Sequence, residues 1–227
     1  MILLIESATS ICSVALSSAE KIIALRELPG PSRHAEKLTV FIEEVMREAQ
    51  LEFSGLDAVA VSMGPGSYTG LRIGVSAAKG ICYAVQKPLI AVGTLEAMAW
   101  GMKREAAAGD LLCPMIDARR MEVYCAVYAT DLSEVEAVKP VILDANSFDA
   151  LLKTRTIRFS GDGSFKAKPL LAHHSNARFT EAGMPSARNM AIPASKKLKE
   201  KNFVDLAYFE PFYLKTYHPG PQGTNSG

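Results

Sequence analysis

The sequence predicts an α/β protein of two lobes, each built on a mixed β-sheet, and three observations lead to this prediction. Short apolar runs typical of strands alternate with longer runs of helical periodicity along most of the 227 residues. The first series begins with three strand-like runs and continues with alternating helices and strands. A second series of strands and helices follows the Ala- and Gly-containing stretch at 106–109. This order of elements is that of a ribonuclease-H-like lobe, repeated once.

The lobe boundaries follow from the same pattern. We predict an N-terminal lobe over residues 1–105 and a smaller C-terminal lobe over residues 106–217. The Gly- and Pro-containing stretch 218–227 has no apolar surface to bury, so we predict that it is a disordered tail.

Strands of the first lobe are predicted where apolar runs are short, and helices where apolar positions recur every three or four residues. The first strand is apolar on both faces, as a central strand is. Burial of the apolar stripe of the first helix, at about 1.5–3 kcal/mol for each large side chain, packs that helix on the sheet. The predicted strands are 2–7, 12–17, 21–28, 57–63 and 88–92, and the predicted helices are 33–49, 71–85 and 94–103.

The second lobe shows a similar pattern with a less regular end. Asp117 and Arg119 lie just after its first strand, and we predict that they pair with each other. The predicted strands are 111–116, 122–128, 137–143 and 156–160, and the predicted helices lie near 147–153, 165–172 and 187–202.

Composition excludes several classes of protein. Lys and Arg number 25 against 24 Asp and Glu, and the resulting net charge of +1 is too small for a protein that grips nucleic acid by itself. The four cysteines lie in apolar segments without C-x-x-C spacing, so we expect buried, reduced thiols. The N-terminus lacks the basic lead of a signal peptide, and no apolar run reaches the ~18 residues of a membrane span. We therefore expect a cytoplasmic protein without membrane contact.

A glycine-rich stretch at 64–74 lies between a predicted strand and the helix 71–85. Backbone N–H groups at such a helix start can face an anion, and Ser67 or Thr69 can supply the N-cap. The same geometry suits a plain tight turn, so both interpretations stay open. The stretch lacks a P-loop lysine after Gly70, the third glycine of a dinucleotide fingerprint and the glycine spacing of a nucleophile elbow.

The predicted helix 71–85 carries apolar residues around most of its circumference. Such a helix either lies deep in the core or is half covered by another subunit. Its small residues Gly74, Ala77, Ala78 and Gly80 would let a partner helix approach closely. The pattern alone leaves the core and the interface interpretations open.

Six segments carry a resemblance to known proteins: 5–9, 12–16, 64–74, 92–95, 117–124 and 210–214. In this order they resemble the bacterial TsaB (YeaZ) family. The resemblance runs from Met1 to about Tyr217 and is densest before residue 125. The glycine stretch is its most specific part, and the other segments support it.

The resemblance implies an actin-like ATPase (ASKHA) fold of two ribonuclease-H-like lobes. It also implies a role in forming N6-threonylcarbamoyladenosine (t6A) at position 37 of tRNAs that read ANN codons. In that system the paralogue TsaD is the catalytic subunit, TsaB pairs with it, the ATPase TsaE joins them, and tRNA is contacted only within the complex. Without TsaD, the same surface is expected to form a homodimer. The paralogues share an older label as glycoproteases of peptidase family M22.

The resemblance also implies that the chain alone is not an enzyme. TsaD holds its metal through H-x-x-x-H on the helix that corresponds to 94–103, and the matching positions here hold Thr94 and Met98. A hydroxyl and a thioether are poor ligands for a hard or borderline divalent ion, so we predict no metal site and no catalytic residue. We expect no cofactor, with weak ATP or ADP binding left open. The alternatives are an ATP-binding phosphotransferase and an M22-type metallopeptidase.

Two sets of candidate site residues are predicted: possible nucleotide or anion contacts, and possible contacts with a partner subunit. Glu6 stands near the place where actin-like ATPases keep a metal-associated acid, although Ala8 replaces the phosphate-loop glycine. We expect Val75→Asp to abolish pairing with a partner and to leave the fold intact. The candidate nucleotide or anion contacts are Glu6, Ser7, Thr9, Gly66, Ser67 and Thr69. The candidate partner contacts are Leu38, Ile42, Val45, Arg72, Val75, Ala78 and Cys82.

Overall fold

The structure, a computed structural model, describes residues 1–30 and 34–214. The predicted disordered tail lies outside the described residues. The strands are β1 (Ile2–Glu6), β2 (Ile11–Ser18), β3 (Lys21–Pro29), β4 (Ala58–Ser62), β5 (Leu89–Val92), β6 (Leu111–Asp117), β7 (Glu122–Ala129), β8 (Glu134–Ile142), β9 (Ile157–Ser160) and β10 (Ala177–Phe179). The helices are α1 (His34–Glu48), α2 (Tyr68–Val85), α3 (Thr94–Met102), α4 (Asp149–Leu152), α5 (Ser164–Leu171) and α6 (Ala191–Lys199), with short 3₁₀ turns at Phe53–Gly55, Lys103–Glu105 and Ala187–Met190.

The strands form two five-stranded mixed sheets. The first has the order β3-β2-β1-β4-β5, and the second has the order β10-β9-β6-β7-β8. In each sheet a central strand pairs antiparallel with the next strand in the chain and parallel with a strand that follows a helix. The predicted fold of two ribonuclease-H-like lobes with mixed sheets is therefore confirmed.

Side chains alternate between the two faces of a strand, and β1 is apolar on both. Both faces of the first sheet are therefore covered by other elements. Leu3 and Ile5 of β1 point into a core shared with α1 and α2. Ile2 and Leu4 point into a second core, which residues of the Ala187–Met190 turn and α6 complete. Helix α3 packs between the sheets, where Leu95, Met98 and Met102 contact residues of β6 and β7.

The last described segment departs from the predicted lobe division. The sequence assigns 106–217 to the smaller lobe, whereas residues 187–214 pack on the first sheet. Val204 bridges Leu89 of the edge strand β5, and the Phe212 N–H donates to the Met63 carbonyl at 2.7 Å. The physical reason is burial, because residues 187–198 cover the face of the first sheet that carries Ile2 and Leu4, whereas Val204, Leu206 and Phe209 pack against the core on the opposite face.

Two local features bear on the predictions. All four cysteines are free and buried, as predicted, and burial raises the pKa of Cys12 and of Cys82 to about 11. The predicted pairing of Asp117 with Arg119 is wrong for the side chains. Asp117 instead accepts from the Lys166 ammonium at 2.5 Å and from the backbone N–H of Arg119 at 2.6 Å. Within residues 1–30 and 34–214, none of the helices has the length and hydropathy of a membrane-spanning segment.

Candidate functional site

The glycine turn joins β4 to α2 and packs directly on the turn between β1 and β2. A Cβ atom built on Gly66 would overlap the Ala8 carbonyl oxygen. One built on Gly70 would overlap the Ser7 carbonyl oxygen, and one on Gly74 would overlap the Ser7 hydroxyl. Three of the glycines are therefore explained by the close approach of α2 to the first hairpin.

The polar groups of Ser67 bind within the chain. Its backbone N–H donates to the Ala8 carbonyl at 2.6 Å, and its hydroxyl oxygen accepts from the Gly70 N–H at 3.3 Å, which caps α2. Helix α2 therefore begins at Tyr68, three residues before the predicted start. The exposed Thr69 lies in the first turn of the helix. An anion at Ser67 would have to compete with these two bonds. Nucleotide or anion contact at Gly66, Ser67 and Thr69 stays a prediction.

Glu6 ends β1 with its side chain fully buried. One carboxylate oxygen accepts from the Ala8 N–H at 2.7 Å, and the other has no hydrogen-bond partner in 1–30 or 34–214. Burial raises the pKa of this carboxyl to about 7, although hydrogen bonds from Ala8, Ser62 and Ser7 oppose the rise. Glu6 is therefore close to half-protonated at neutral pH and is shielded from solvent.

Ser7 and Thr9 serve the same hairpin. The Ser7 hydroxyl donates to the Gly70 carbonyl at 2.9 Å, and its N–H donates to the Ser62 hydroxyl at 3.3 Å. The Thr9 hydroxyl oxygen accepts from the Ile11 N–H at 3.3 Å. Both residues are buried, and their hydroxyl groups form hydrogen bonds within the chain. The structure therefore brings these two predicted contacts together, but as part of an internal hydrogen-bond network.

Thr94 begins helix α3, Met98 lies one turn further along it, and both are buried. The Thr94 N–H donates to the Gly64 carbonyl at 3.0 Å, while its hydroxyl oxygen lacks a partner among the described residues. Met98 lies in the core between the sheets, where its methyl group approaches Gly161. These two side chains share a helix face but offer one hydroxyl and one thioether.

The outer surface of α1 and α2 differs from the predicted partner contacts. Six of the seven candidates face the core of this chain: Leu38, Ile42, Val45, Val75, Ala78 and Cys82. They cannot contact a partner, because the sheet already covers them. Arg72 is the exposed one. The helices were predicted correctly and the buried face was mistaken for the outer one.

A different set of residues faces outward. On α2 these are Ser76, Gly80, Tyr83 and Ala84, and on α1 Val40 is 40% exposed. Tyr83 is 81% exposed, although it lies on a well-packed helix. A Cβ atom on Gly80 would meet nothing within 4 Å. The outer face of α2 thus combines small residues with a large aromatic ring, whereas the exposed side of α1 also carries Glu43 and Arg47.

Residues 203–214, which we call the C-terminal strap, run alongside α2. The Lys79 ammonium donates to the Ala207 carbonyl at 3.2 Å. At the other end of the strap the rings of Tyr213 and Tyr68 lie 4.9 Å apart, and the Arg72 guanidinium lies 5.2 Å from the Tyr68 ring centroid. The segment 210–214 was part of the resemblance, but nothing in its pattern indicated this position.

Comparison with known proteins gives the family. A family model described as "TsaD: tRNA N6-adenosine threonylcarbamoyltransferase" matches residues 31–216. The tRNA threonylcarbamoyladenosine biosynthesis protein TsaB of Escherichia coli (strain K12) is 34% identical over 223 residues, which cover 94% of this chain and 94% of that protein. The chain belongs to the TsaB family. The resemblance to this family noted in the sequence is therefore confirmed.

Two solved structures are similar to this TsaB-family chain. YeaZ from Pseudomonas aeruginosa superposes with a TM-score of 0.79 at 25% identity, covering 94% of this chain and 99% of that chain. The activator of 2-hydroxyisocaproyl-CoA dehydratase from Clostridium difficile has a TM-score of 0.52 at 9% identity, covering 88% and 97% of the two chains, and shares the fold alone. These likenesses agree with the predicted actin-like ATPase fold.

The transferases are matched over part of their length. The tRNA N6-adenosine threonylcarbamoyltransferase of Erythrobacter litoralis (strain HTCC2594) is 31% identical over 169 residues, which cover 68% of this chain and 48% of that protein. TsaB-family chains and these enzymes are thus relatives. The described part of this chain holds no group of three or more His, Cys, Asp and Glu side chains placed to bind one metal ion.

Proposed function

We propose that this chain is a non-catalytic subunit for t6A formation at position 37 of tRNAs that read ANN codons. It pairs with a TsaD-type catalytic subunit, a TsaE-type ATPase joins the pair, and tRNA is bound only by the complex. The setting is the cytoplasm, where such tRNAs are found. The observation that carries this proposal is the likeness to the TsaB of Escherichia coli along 94% of both chains.

The non-catalytic part of the proposal is supported by α3. Thr94 and Met98 occupy the two positions where the catalytic paralogues are expected to hold metal-binding histidines. Met98 is 1% exposed and fills space between the two sheets, so an ion would have to displace core packing. The burial of Glu6 likewise disfavours the alternative of an ATP-dependent phosphotransferase.

The pairing part is supported by the outer face of α1 and α2. Contiguous exposed apolar surface marks interaction sites, and on α2 the exposed ring of Tyr83 lies beside the exposed small residues Gly80 and Ala84. Gly80 and Ala84 leave room for a helix to approach closely. A catalytic subunit of the same family would present a related pair of helices, and in its absence a second copy of this chain would cover the face.

The test is reconstitution with purified components. The chain is mixed with the TsaD-type subunit, the TsaE-type ATPase and the system that supplies the threonylcarbamoyl donor, and t6A in tRNA is quantified. We expect t6A only when this chain is present, and no t6A from this chain without the catalytic subunit. Equal t6A yield with and without the chain would overturn the proposal. Turnover of ATP by the chain alone, lost in Glu6→Ala, would favour the phosphotransferase.

A further inference from the structure

The C-terminal strap is rich in exposed aromatic side chains. Of the chain's nine Phe and seven Tyr, five lie between 203 and 213. Val204, Leu206 and Phe209 pack against the core of the first lobe. The remaining aromatics face outward: Phe203 (39% exposed), Tyr208 (85%), Phe212 (40%) and Tyr213 (36%). The strap thus has an anchored side and an aromatic outer side.

The backbone at Tyr208 is held by hydrogen bonds, whereas its ring is exposed to solvent. The Asp205 carboxylate accepts from the backbone N–H groups of Ala207 and Tyr208, at 2.8 and 3.1 Å, which fixes the turn that carries the ring. The neighbouring carbonyl of Ala207 is bound by Lys79 of α2. A fixed backbone under an exposed ring lowers the entropy lost when a partner orders that ring.

Tyr208 also lies next to the proposed partner face. Tyr83 is one helical turn beyond Lys79, on the same side of α2. The two most exposed large hydrophobic side chains of the described residues, Tyr208 and Tyr83, therefore flank the Lys79–Ala207 hydrogen bond from the strap and from the helix. Tyr83 and Tyr208 thus lie on the two elements that this hydrogen bond joins.

The area of the two helices alone is small for a stable complex. Helix α2 has 18 residues, so it is about 27 Å long, and two neighbouring helices about 10 Å wide cover about 500 Å². Specific interfaces bury about 800 Å² on each partner. The strap contacts α2 from Tyr68 to Lys79, about 17 Å along the helix, so a strip about 10 Å wide brings the surface to about 700 Å², close to that value.

We propose that the C-terminal strap completes the surface on which the catalytic partner subunit docks, with Tyr208 as an aromatic anchor beside Tyr83. This inference rests on the proposed function, because the occupant is the same catalytic subunit. Tyrosine suits the role, since it buries a large apolar area and keeps a hydroxyl for a hydrogen bond. The strap is an additional element beyond the two helices.

The experiment measures the affinity of the purified TsaD-type subunit for the full chain by calorimetry. The variants are Tyr208→Ala, Tyr83→Ala and the matched control Phe165→Ala, which removes a ring that is 65% exposed on α5 of the other lobe. Far-UV circular dichroism and thermal unfolding check the fold of each. We expect Tyr208→Ala and Tyr83→Ala each to weaken binding at least about tenfold and Phe165→Ala to leave it within about twofold.

The outcomes separate the two proposals. If Tyr83→Ala weakens binding and Tyr208→Ala does not, the helices bind the partner and the strap inference is overturned. If the parent chain does not bind the catalytic subunit, the proposed function fails and the strap inference fails with it. Sedimentation velocity adds one more outcome. Should Tyr208→Ala dissociate a homodimer but keep its affinity for the catalytic subunit, the strap serves a second copy, and the inference is wrong.

Discussion

The hydroxyl of Ser7, the residue that follows β1, donates to the backbone carbonyl of Gly70 in the first turn of α2, 2.9 Å away. This bond joins the first hairpin to the helix on which the proposed partner surface lies. It forms only because glycines at positions 66, 70 and 74 let the backbones meet. The glycine-rich stretch thus fixes the orientation of α2.

Gly70 and Gly80 lie on the same helix and should respond oppositely to alanine. Gly70→Ala places a methyl group against the Ser7 carbonyl, so we expect a loss of about 1–3 kcal/mol in the free energy of unfolding. Gly80→Ala meets open space and should raise that free energy by about 0.5–1 kcal/mol. Urea unfolding of both variants measures this. Equal effects would contradict the packing role of the glycine turn.

Glu6 should make stability fall as the pH rises. Its pKa is about 7 in the folded chain against 4.5 for a free group, so between these values the unfolded chain binds fewer protons than the folded one. Raising the pH through this window therefore destabilises the fold, by up to about 3 kcal/mol for this group. Glu6→Gln removes the effect, so its free energy of unfolding relative to the parent should increase from pH 5 to pH 8. A constant difference would argue against the raised pKa.

Val75 and Tyr83 should separate folding from binding. Val75 is 5% exposed, so Val75→Asp buries an unpaired charge and should cost about 3–5 kcal/mol of stability, instead of only abolishing pairing as the sequence pattern suggests. Tyr83→Asp changes an exposed side chain and should leave the melting temperature within about 2 °C, given the usual size of surface effects. Thermal unfolding compares them. A stable Val75→Asp chain would show that this helix face is accessible.

Tyr213 should hold the end of the strap. Its ring contact with Tyr68 is worth about 0.5–1.5 kcal/mol, so Tyr213→Ala should raise local opening of the strap by about two- to twelvefold. Hydrogen exchange at the Phe212 N–H, which is bonded to Met63, reports this opening. Exchange in β1 should stay unchanged. Unaltered protection at Phe212 would mean that the ring pair does not anchor the strap.

The elements of the fold were readable from the sequence because they depend on local periodicity. The apolar stripe of α1 and the run in α2 predicted both helices. The face of α2 was not readable, since a helix that is apolar around most of its circumference does not say which side meets the sheet. Val75, Ala78 and Cys82 share the buried side, and Tyr83 the exposed one.

Non-local contacts account for the rest of what the sequence could not predict. The need for glycine at 66, 70 and 74 arises from Ser7 and Ala8, which are distant in the chain. The strap has no helical or strand period, and its position depends on single contacts such as Val204 with Leu89. Its aromatic content was visible in the sequence, but the sequence does not show which element it lies on.

The most direct test of the account is t6A yield in the reconstituted system with Tyr83→Asp in place of the parent chain. The matched control is Ile142→Asp, which changes a residue that is 75% exposed on β8 of the other lobe. We predict that Tyr83→Asp, though folded, lowers the t6A yield at least about tenfold, the effect expected for losing an interface anchor, and that Ile142→Asp does not. Full t6A yield with a folded Tyr83→Asp chain would contradict the claim that this protein acts through the outer face of α2.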